Sequence, residues 1–150
     1  MSLSFYNMNL LSILKSLFKS NSQSKAVASF PGIVAAKVVE IEKHPNADRL
    51  RVIKLDTGGT VIYPVICGAF NFDTGAMVAL ALPGAEIAQD IHSADHKPFV
   101  LEKAKIRGIE SQGMICAAFE LGLATEPGQG IMLLKPETKP GSQFNPGMIQ

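Results

Sequence analysis

Hydrophobic and polar positions alternate in the stretch that follows Phe30, as they do in β-strands. GIVAAKVVEIEKH predicts a long strand from Ile33 to Glu42, because its apolar positions alternate with polar ones and many of its side chains are β-branched. HPNADRL, from His44 to Leu50, predicts a turn, since Pro, Asn and Asp all favour turns. RLRVIKLDTGG then predicts a second strand that ends at a Gly-Gly turn.

Further apolar runs predict the rest of a β domain. TVIYPVICG indicates a third strand in which Pro64 marks an edge or a bulge, and AMVALALPG indicates a fourth strand. MICAAFELGL predicts a fifth core strand that runs into a short helical turn, and GIMLL predicts a last strand before a Pro-rich tail. Five core strands in this order suit a small closed barrel such as the OB fold. A β-sandwich fits nearly as well, and periodicity does not decide between the two.

The first 29 residues have a different pattern. Leu10, Leu14, Leu17 and Phe18 lie on one face of a predicted helix, which is much too short to span a bilayer. The polar, Ser-rich residues 19–29 indicate a linker. We therefore expect a helix and linker over 1–29, a domain over 30–135 and a tail over 136–150. The helix is expected to pack on the domain or on a second copy of the chain.

Charge is distributed unevenly along the chain although the net charge is only +1. Residues 1–55 carry eight Lys/Arg and three Asp/Glu, residues 56–96 carry none and five, and residues 97–150 carry six and five. A basic face must therefore come from the first and last thirds. Its candidate members are Lys43, Arg49, Arg51, Lys54, Lys103, Lys105 and Arg107. Scattered, solvated charge is the alternative.

Signals of catalysis and of metal binding are weak. The sequence has no GxxxxGK[ST], GxGxxG or GxSxG motif, so we expect no catalytic activity and no cofactor. Cys67 and Cys116 lie far apart in apolar runs, which predicts buried, reduced thiols in a cytoplasmic protein. His92 and His96 would share a helix face, but their segment has no helical pattern, and an ordinary loop is favoured over a metal site.

The stretch GIESQGMIC, from Gly108 to Cys116, places short polar residues directly before an apolar run. Glycines allow close approach of a ligand, and Ser111 and Gln112 would offer hydrogen bonds to a phosphate, a ribose or a base edge. Lys103, Lys105 and Arg107 alternate just before it, so in an extended segment they would point to one side and track successive phosphates. A structural glycine turn beside a solvated strand is the alternative.

Four ordered motifs, HPNADRLRV, VICGAFN, ALPGA and KAKIRGIESQGMICAAFELGL, resemble the tRNA-binding domain family. This domain occurs near the N-terminus of the phenylalanyl-tRNA synthetase β chain, and related domains include those of endothelial monocyte-activating polypeptides. The resemblance covers residues 32–134. It implies an OB-fold barrel, here with an N-terminal helix and short additional helical or strand elements, that holds tRNA by its shape and backbone.

The resemblance also implies a set of RNA-binding residues, to which the arginines after the first turn are added as an extension of the basic surface. These are Asn46, Asp48, Arg49, Arg51, Asn71, Lys103, Lys105, Arg107, Ser111, Gln112, Gly113 and Met114. Phe70 departs from the family pattern, because the synthetase form often has Pro at this position. The expected partners are tRNA, a synthetase catalytic subunit if the chain is part of a synthetase, and a second copy if the helix dimerises.

Two functions remain open at this point. The first is a non-catalytic tRNA-binding module, either stand-alone or the N-terminal part of the synthetase β chain. The second is a protein-interaction or chaperone-like OB domain that uses the same barrel face for polypeptide. Salt dependence separates them, because phosphate contacts weaken steeply as salt rises and a peptide groove need not.

Overall fold

The computed structural model describes residues 29–128 and 130–150, so the helix expected over Leu10–Phe18 lies outside the described residues. Within that part, the regular elements are strands and two single-turn 3₁₀ helices, Phe119–Leu121 and Pro146–Met148. The strands are β1 Ile33–Lys43, β2 Arg51–Asp56, β3 Val61–Cys67, β4 Met77–Ala81, β5 Glu86–Ile87, β6 Phe99–Val100, β7 Ala104–Ile106, β8 Ile109–Ser111, β9 Met114–Ile115 and β10 Leu133–Leu134.

The main sheet is antiparallel and curled around its longest strand. Its order is β10-β4-β1-β2-β3, and β9 pairs with the other part of β4. The first half of β1 pairs with β4 and the second half with β2, and a register shift between Val38 and Glu40 marks the change. Such irregularities bend a strand and increase its twist. The predicted strand from Ile33 to Glu42 is therefore confirmed, and its length lets one strand serve two neighbours.

The segment before β9 connects the two edges of the curled sheet. The backbone N–H of Gln112 donates to the carbonyl of Pro64 on β3 at 2.8 Å. Immediately afterwards, Met114 and Ile115 pair with β4 on the opposite side. The result is a barrel-like, all-β arrangement that fits an OB fold rather than a two-sheet sandwich. The small hairpins β5–β6 and β7–β8 are additional to it.

Pro64 lies on an edge strand and at an irregularity in the strand pairing, two positions at which proline is tolerated in a sheet. Strand β3 is the last in the sheet order, and its register with β2 shifts between the pairs of Ile53 and Leu55. Proline has no N–H to donate, but its carbonyl remains free to accept the bond from Gln112. The predicted edge or bulge is confirmed.

Two clusters of buried side chains cover the two faces of β4. Val78 and Leu80 belong to the cluster inside the curled sheet, and Met77, Ala79 and Ala81 belong to the second one. A strand that is buried on both faces needs a continuous apolar sequence, which is what MVALA provides.

The C-terminal segment, which the sequence pattern separates as a tail, packs against β1. The N–H of Gly141 donates to the carbonyl of Ala35 at 2.7 Å, and the N–H of Ala35 donates to the carbonyl of Ser142 at 2.9 Å. Phe144 is 1% exposed and contributes to the second buried cluster, with its ring edge-to-face against Phe30 at 5.1 Å. Residues 141–144 therefore add to the domain core.

Candidate nucleic-acid interface

Ser111 is buried and its hydroxyl is occupied within the protein. Ser111 is 4% exposed. Its Oγ donates to the carbonyl of Gly113 and accepts from the N–H of Ile66, both at 2.9 Å. A hydroxyl has one proton to donate, so this one has none left for a ligand. The bond from Ile66 joins β3 to β8. Ser111 is therefore not among the proposed RNA contacts.

Gly113 is a glycine because β4 lies against it. A Cβ at this position would be 2.8 Å from the carbonyl oxygen of Ala81 and 3.2 Å from a methyl carbon of Leu80. The close approach that the sequence predicts is real, but the approaching group is the backbone of β4 rather than a nucleic acid. Met114 is half-buried against the second cluster. The segment GIESQGMIC therefore closes the curled sheet.

Gln112 lies between these buried neighbours but is itself half-exposed. Its side-chain nitrogen is 3.3 Å from both the backbone oxygen and a carboxylate oxygen of Glu110. This local bonding orients the amide along the surface. Gln112 is thus the member of the Ser111–Met114 segment whose polar side chain is accessible to a ligand.

A buried histidine joins the turn over 44–50 to the β7–β8 hairpin. His44 is 1% exposed, accepts from the N–H of Asn46 at its Nδ1 at 3.0 Å, and has Nε2 3.1 Å from the carbonyl of Ile106. An N–H can only donate and a carbonyl can only accept, so the ring is neutral with its proton on Nε2. The exposed Asn46 adds a bond from Nδ2 to the carbonyl of Arg107 at 3.3 Å. Turn and hairpin therefore form one surface.

The tip of the hairpin corrects one part of the predicted cationic row. Arg107 and Gly108 have positive φ angles of 52° and 93° and connect the paired residues Ile106 and Ile109, as in a type I′ turn. Arg107 therefore lies in the turn and not on the extended strand with Lys105, so strict alternation does not describe all three cations. Arg107 is instead at the tip of the hairpin, beyond the paired residues of β7 and β8.

The loop over 68–72 is held by Arg51. Its guanidinium lies over two rings, 4.7 Å from the centroid of Phe70 and 4.6 Å from that of Phe72, and it donates to the carbonyls of Ala69 and Phe72 at 3.0 and 3.1 Å. Arg51 is half-buried, and its Nε has no hydrogen-bond partner in the described part of the protein. The arginine thus acts first as a support for this loop.

Asn71 fixes the other side of the same loop. Its Nδ2 donates to the carbonyl of Ile131 and its Oδ1 accepts from the N–H of Ile131, both at 3.0 Å. A Cβ on the neighbouring Gly130 would meet the Asn71 side chain at 2.5 Å, which explains the glycine. Asn71 is exposed, but its amide is committed to this pairing, and we assign it a positioning role.

These loops lie at one end of the sheet. Lys43 is the register partner of Arg51, which is the partner of Cys67, so the turn that follows β1 and the loop that follows β3 are neighbours. A Cβ on Gly68 would be 3.4 Å from a methyl carbon of Leu50. We call the exposed surface of residues 44–50, 68–72 and 103–112 the rim. The rim unites most of the residues predicted to bind RNA.

Cations on the rim are exposed, and most have no ion-pair partner in the part of the chain that the structure describes. Lys43, next to the rim, lies 3.6 Å from Asp48, whose side chain is fully in solvent. The other four exposed cations form no ion pair within residues 29–128 and 130–150; they are Arg49, Lys103, Lys105 and Arg107. Glu110 lies directly across the hairpin from Lys105. Arg107 lies beyond that pair, in the turn.

Lys54 belongs instead to the exposed face of β1–β3, which we call the sheet face. Its Nζ is 2.8 Å from a carboxylate oxygen of Glu40, and this hydrogen bond raises the pKa of Lys54 above its ordinary value. The same Nζ lies 5.1 Å from the ring centroid of Tyr63. The sequence placed Lys54 with the basic face, whereas the structure pairs it with an acid.

The remaining titratable groups of interest are buried. Both cysteines are free and buried, as expected, and burial raises the pKa of the Cys67 and Cys116 thiols. Glu120 is 7% exposed, and burial raises the pKa of its carboxyl, whose Oε1 accepts from the N–H of Ala117 at 2.8 Å. The described residues contain no group of three or more His, Cys, Asp or Glu that could hold a metal ion. They also contain no helix long and apolar enough to cross a membrane.

Sequence reasoning did not select Phe70 or His44 as site residues. Phe70 is 57% exposed, the highest value among the large apolar side chains of the described residues, and it lies on the rim. Its only signal was the departure from the family pattern. His44 was interpreted as structural, and its burial and hydrogen bonds agree with that interpretation.

Comparison with known proteins identifies the class of this domain. Residues 33–143 match the model of a family described as "Putative tRNA binding domain", so the chain belongs to the tRNA-binding domain family. Similar relatives are phenylalanine–tRNA ligase β subunits. That of Ralstonia nicotianae is 44% identical over 115 residues, or 77% of this chain, and that of Anaeromyxobacter dehalogenans is 39% identical over 125 residues, or 83%. The matched part is 14% of the length of each of these relatives.

Proposed function

We propose that this chain is a non-catalytic tRNA-binding module with an OB-fold barrel, and that its rim holds tRNA through backbone contacts. The observation that carries the proposal is the joining of the turn over 44–50 to the β7–β8 hairpin, through His44 and Asn46. That junction fixes exposed cations around one end of the sheet that form no ion pair with any other described residue, and OB folds use the loops at such an end to bind oligonucleotides. Membership of the tRNA-binding domain family supports the same ligand.

The contacts are expected to divide by chemistry. Lys103, Lys105 and Arg107 are assigned to phosphates, and Arg49 extends this charge toward the loop over 68–72. The accessible amides of Asn46 and Gln112 are assigned to ribose or base edges. Asp48 is expected to shape the turn rather than to touch phosphate, because its carboxylate would repel that group. Arg51, Asn71, Ser111, Gly113 and Met114 support the surface from behind.

The module acts either alone or as the N-terminal part of a phenylalanyl-tRNA synthetase β chain. In the second case, its partner is the synthetase catalytic subunit, and the module contributes binding rather than aminoacylation. A tRNA ligand is also the reason to propose a cytoplasmic location. A homodimer formed through residues 10–18 stays a prediction.

A salt series tests this function directly. Equilibrium binding of mixed tRNA to the chain, measured on filters from about 50 to about 200 mM salt, should show an affinity that falls linearly on logarithmic axes with a slope of several units. No binding at the lowest salt would contradict tRNA binding. Binding that does not change with salt would contradict phosphate contacts as its source.

One observation favours the alternative of a protein-interaction or chaperone-like domain. A mainly apolar cleft of about 550 Å³ lies beneath the hairpin, lined by residues that include Leu50, Ile66, Leu101 and Met114. An apolar cleft of this size is large enough for side chains of a peptide. Under this alternative, an unfolded or extended polypeptide would bind with little salt dependence and would not compete with tRNA for the rim cations.

A further inference from the structure

The ring of Phe70 is exposed at a position where the protein holds it rigidly. Arg51 covers one face of the ring, and the arginine also bonds the carbonyls of Ala69 and Phe72, the residues just before it and two after it. Asn71, the next residue, is clamped to the backbone of Ile131. The arrangement is that of a supported aromatic surface.

The same guanidinium contacts a second ring. It lies over Phe72, which is 4% exposed, as well as over Phe70, so one cation connects a buried ring to the exposed one. Phe70 therefore offers an exposed π-system beside a delocalised positive charge. Another flat π-system is the group that stacks on such a ring. Among the ligands of the proposed function, an unpaired nucleobase has that chemistry.

The charge around Phe70 favours nucleic acid over polypeptide as the occupant. Phe70 belongs to the rim, whose exposed cations Arg49, Lys103, Lys105 and Arg107 form no ion pair within the described residues. An aromatic ring on a surface whose cations can reach phosphates is the combination with which proteins bind single-stranded nucleic acid.

We propose that Phe70 is the stacking platform for an unpaired base of RNA, so that the rim engages a single-stranded region of its ligand as well as backbone phosphates. This inference rests on the proposed tRNA binding and adds the kind of nucleotide that the site takes. It assigns Phe70 a direct contact, and it gives Arg51 and Asn71 the role of positioning that contact.

The chain contains no tryptophan, which makes a direct test available. Phe70→Trp places a single indole on the platform, and Tyr63→Trp places one on the sheet face, where the parent tyrosine is 46% exposed and also lies beside a cation. Titration with mixed tRNA, carrying a label for anisotropy, reports binding and indole fluorescence in one experiment. We expect both variants to bind, and only the Phe70→Trp indole to be quenched by base stacking. A short oligouridylate should quench it as well.

The outcomes separate this inference from the function on which it rests. Binding of tRNA without quenching in Phe70→Trp would overturn the platform and leave tRNA binding intact. Absence of binding in the parent and in both variants would overturn the proposed function, and absence of quenching by oligouridylate would then overturn the platform too. Equal quenching of Phe70→Trp and Tyr63→Trp would show that the signal is not specific to the rim, and would also overturn it.

Substitutions that remove the ring provide the second arm. Phe70→Leu keeps an apolar side chain and removes the π-face, so it should weaken tRNA binding roughly five- to a hundredfold, and Phe70→Ala should do the same. The slope of affinity against salt should stay that of the parent, because no phosphate contact is lost. Tyr63→Ala is the matched control and should bind like the parent. Full affinity of Phe70→Leu would indicate apolar contact, as with a polypeptide, and would contradict stacking.

Discussion

Two exposed aromatic rings lie beside cations in this domain, and their surroundings differ. On the rim, Phe70 stacks on Arg51, and the exposed cations nearby have no ion-pair partners among the described residues. On the sheet face, Lys54 lies by Tyr63 but is bound to Glu40, and the Tyr63 hydroxyl donates to Glu42 at 3.4 Å. The same types of residue are thus arranged once as an open cationic surface and once as a neutralised one. Neighbouring carboxylates, more than the count of basic residues, decide which surface attracts a polyanion.

The largest expected effect is the loss of rim charge. Replacing Lys103, Lys105 and Arg107 together with Ala should lower tRNA affinity on the order of a hundredfold at about 100 mM salt, and about equally for all tRNA species, because phosphate contacts do not distinguish sequence. Lys54→Ala on the sheet face should change affinity by less than about twofold. Filter binding with several purified tRNAs measures both. Equal affinities of the triple variant and the parent would break the contrast between the two surfaces.

The next effect separates support of the rim from contact with the ligand. Gly113→Ala places a Cβ against the carbonyl of Ala81, so it should lower the free energy of unfolding by about 1 to 3 kcal/mol. Urea denaturation gives this value. Gly128→Ala is the control, since its Cβ would meet nothing within 4 Å. If Gly113→Ala were as stable as the parent but bound tRNA more weakly, the packing role of Gly113 would be contradicted and a contact with the ligand would be indicated.

Ser111→Ala is expected to act in the same way with a smaller effect. The substitution leaves the N–H of Ile66 without its acceptor in a buried position, which costs about 1 to 2 kcal/mol. Affinity for tRNA, measured well below the melting temperature, should be that of the parent. Ser93→Ala is a control, because its Oγ makes a single long bond of 3.4 Å to Asp90. A loss of affinity in Ser111→Ala at constant melting temperature would contradict the structural role.

The smallest effect concerns a buried carboxyl away from the rim cations. Burial raises the pKa of Glu120 above its ordinary value of 4.5, so the folded state holds the proton more tightly than the unfolded state. This tighter proton binding contributes to the free energy of unfolding. The contribution is fully present below pH 4.5 and is lost as the pH rises through the raised pKa of the folded state. Glu120→Gln retains an oxygen for the Ala117 N–H but cannot ionise, and it should lack this loss.

Free energies of unfolding from about pH 4 to about pH 8 test the titration of Glu120. Glu110→Gln, at an exposed position of the hairpin, should keep the pH dependence of the parent. If Glu120→Gln showed the same decline with pH as the parent, the buried carboxyl would not be the group responsible.

Short-range patterns predicted most of the fold. The strand from Ile33 and the edge position of Pro64 follow from alternation and from the missing N–H of proline, and both are properties of a few neighbouring residues. The packing of Phe144 could not be predicted, because a single aromatic residue in the stretch GSQFNPG gives no period. Its contact with Phe30 joins residues that are distant in sequence.

The candidate site was predicted less completely for the same reason. Ser111 and Gly113 are residue types that are common in ligand-binding loops. The groups that contact them, the N–H of Ile66 and the carbonyl of Ala81, belong to other strands. Arg107 follows a strand without the Asn-Gly or Asp-Gly pair that usually announces a type I′ turn. The basic character of the hairpin, by contrast, is a local property of the sequence, and the structure leaves its cations exposed.

The central claim is that charge on the rim, and not charge elsewhere on the domain, holds tRNA. Arg107→Gln and Lys54→Gln each remove one positive charge from an exposed side chain, one at the hairpin tip and one on the sheet face. The slope of log affinity against log salt for mixed tRNA should fall by about 0.7 to 0.9 in Arg107→Gln and should not change in Lys54→Gln. Identical slopes for both variants and the parent, or a larger decrease in Lys54→Gln, would contradict the claim.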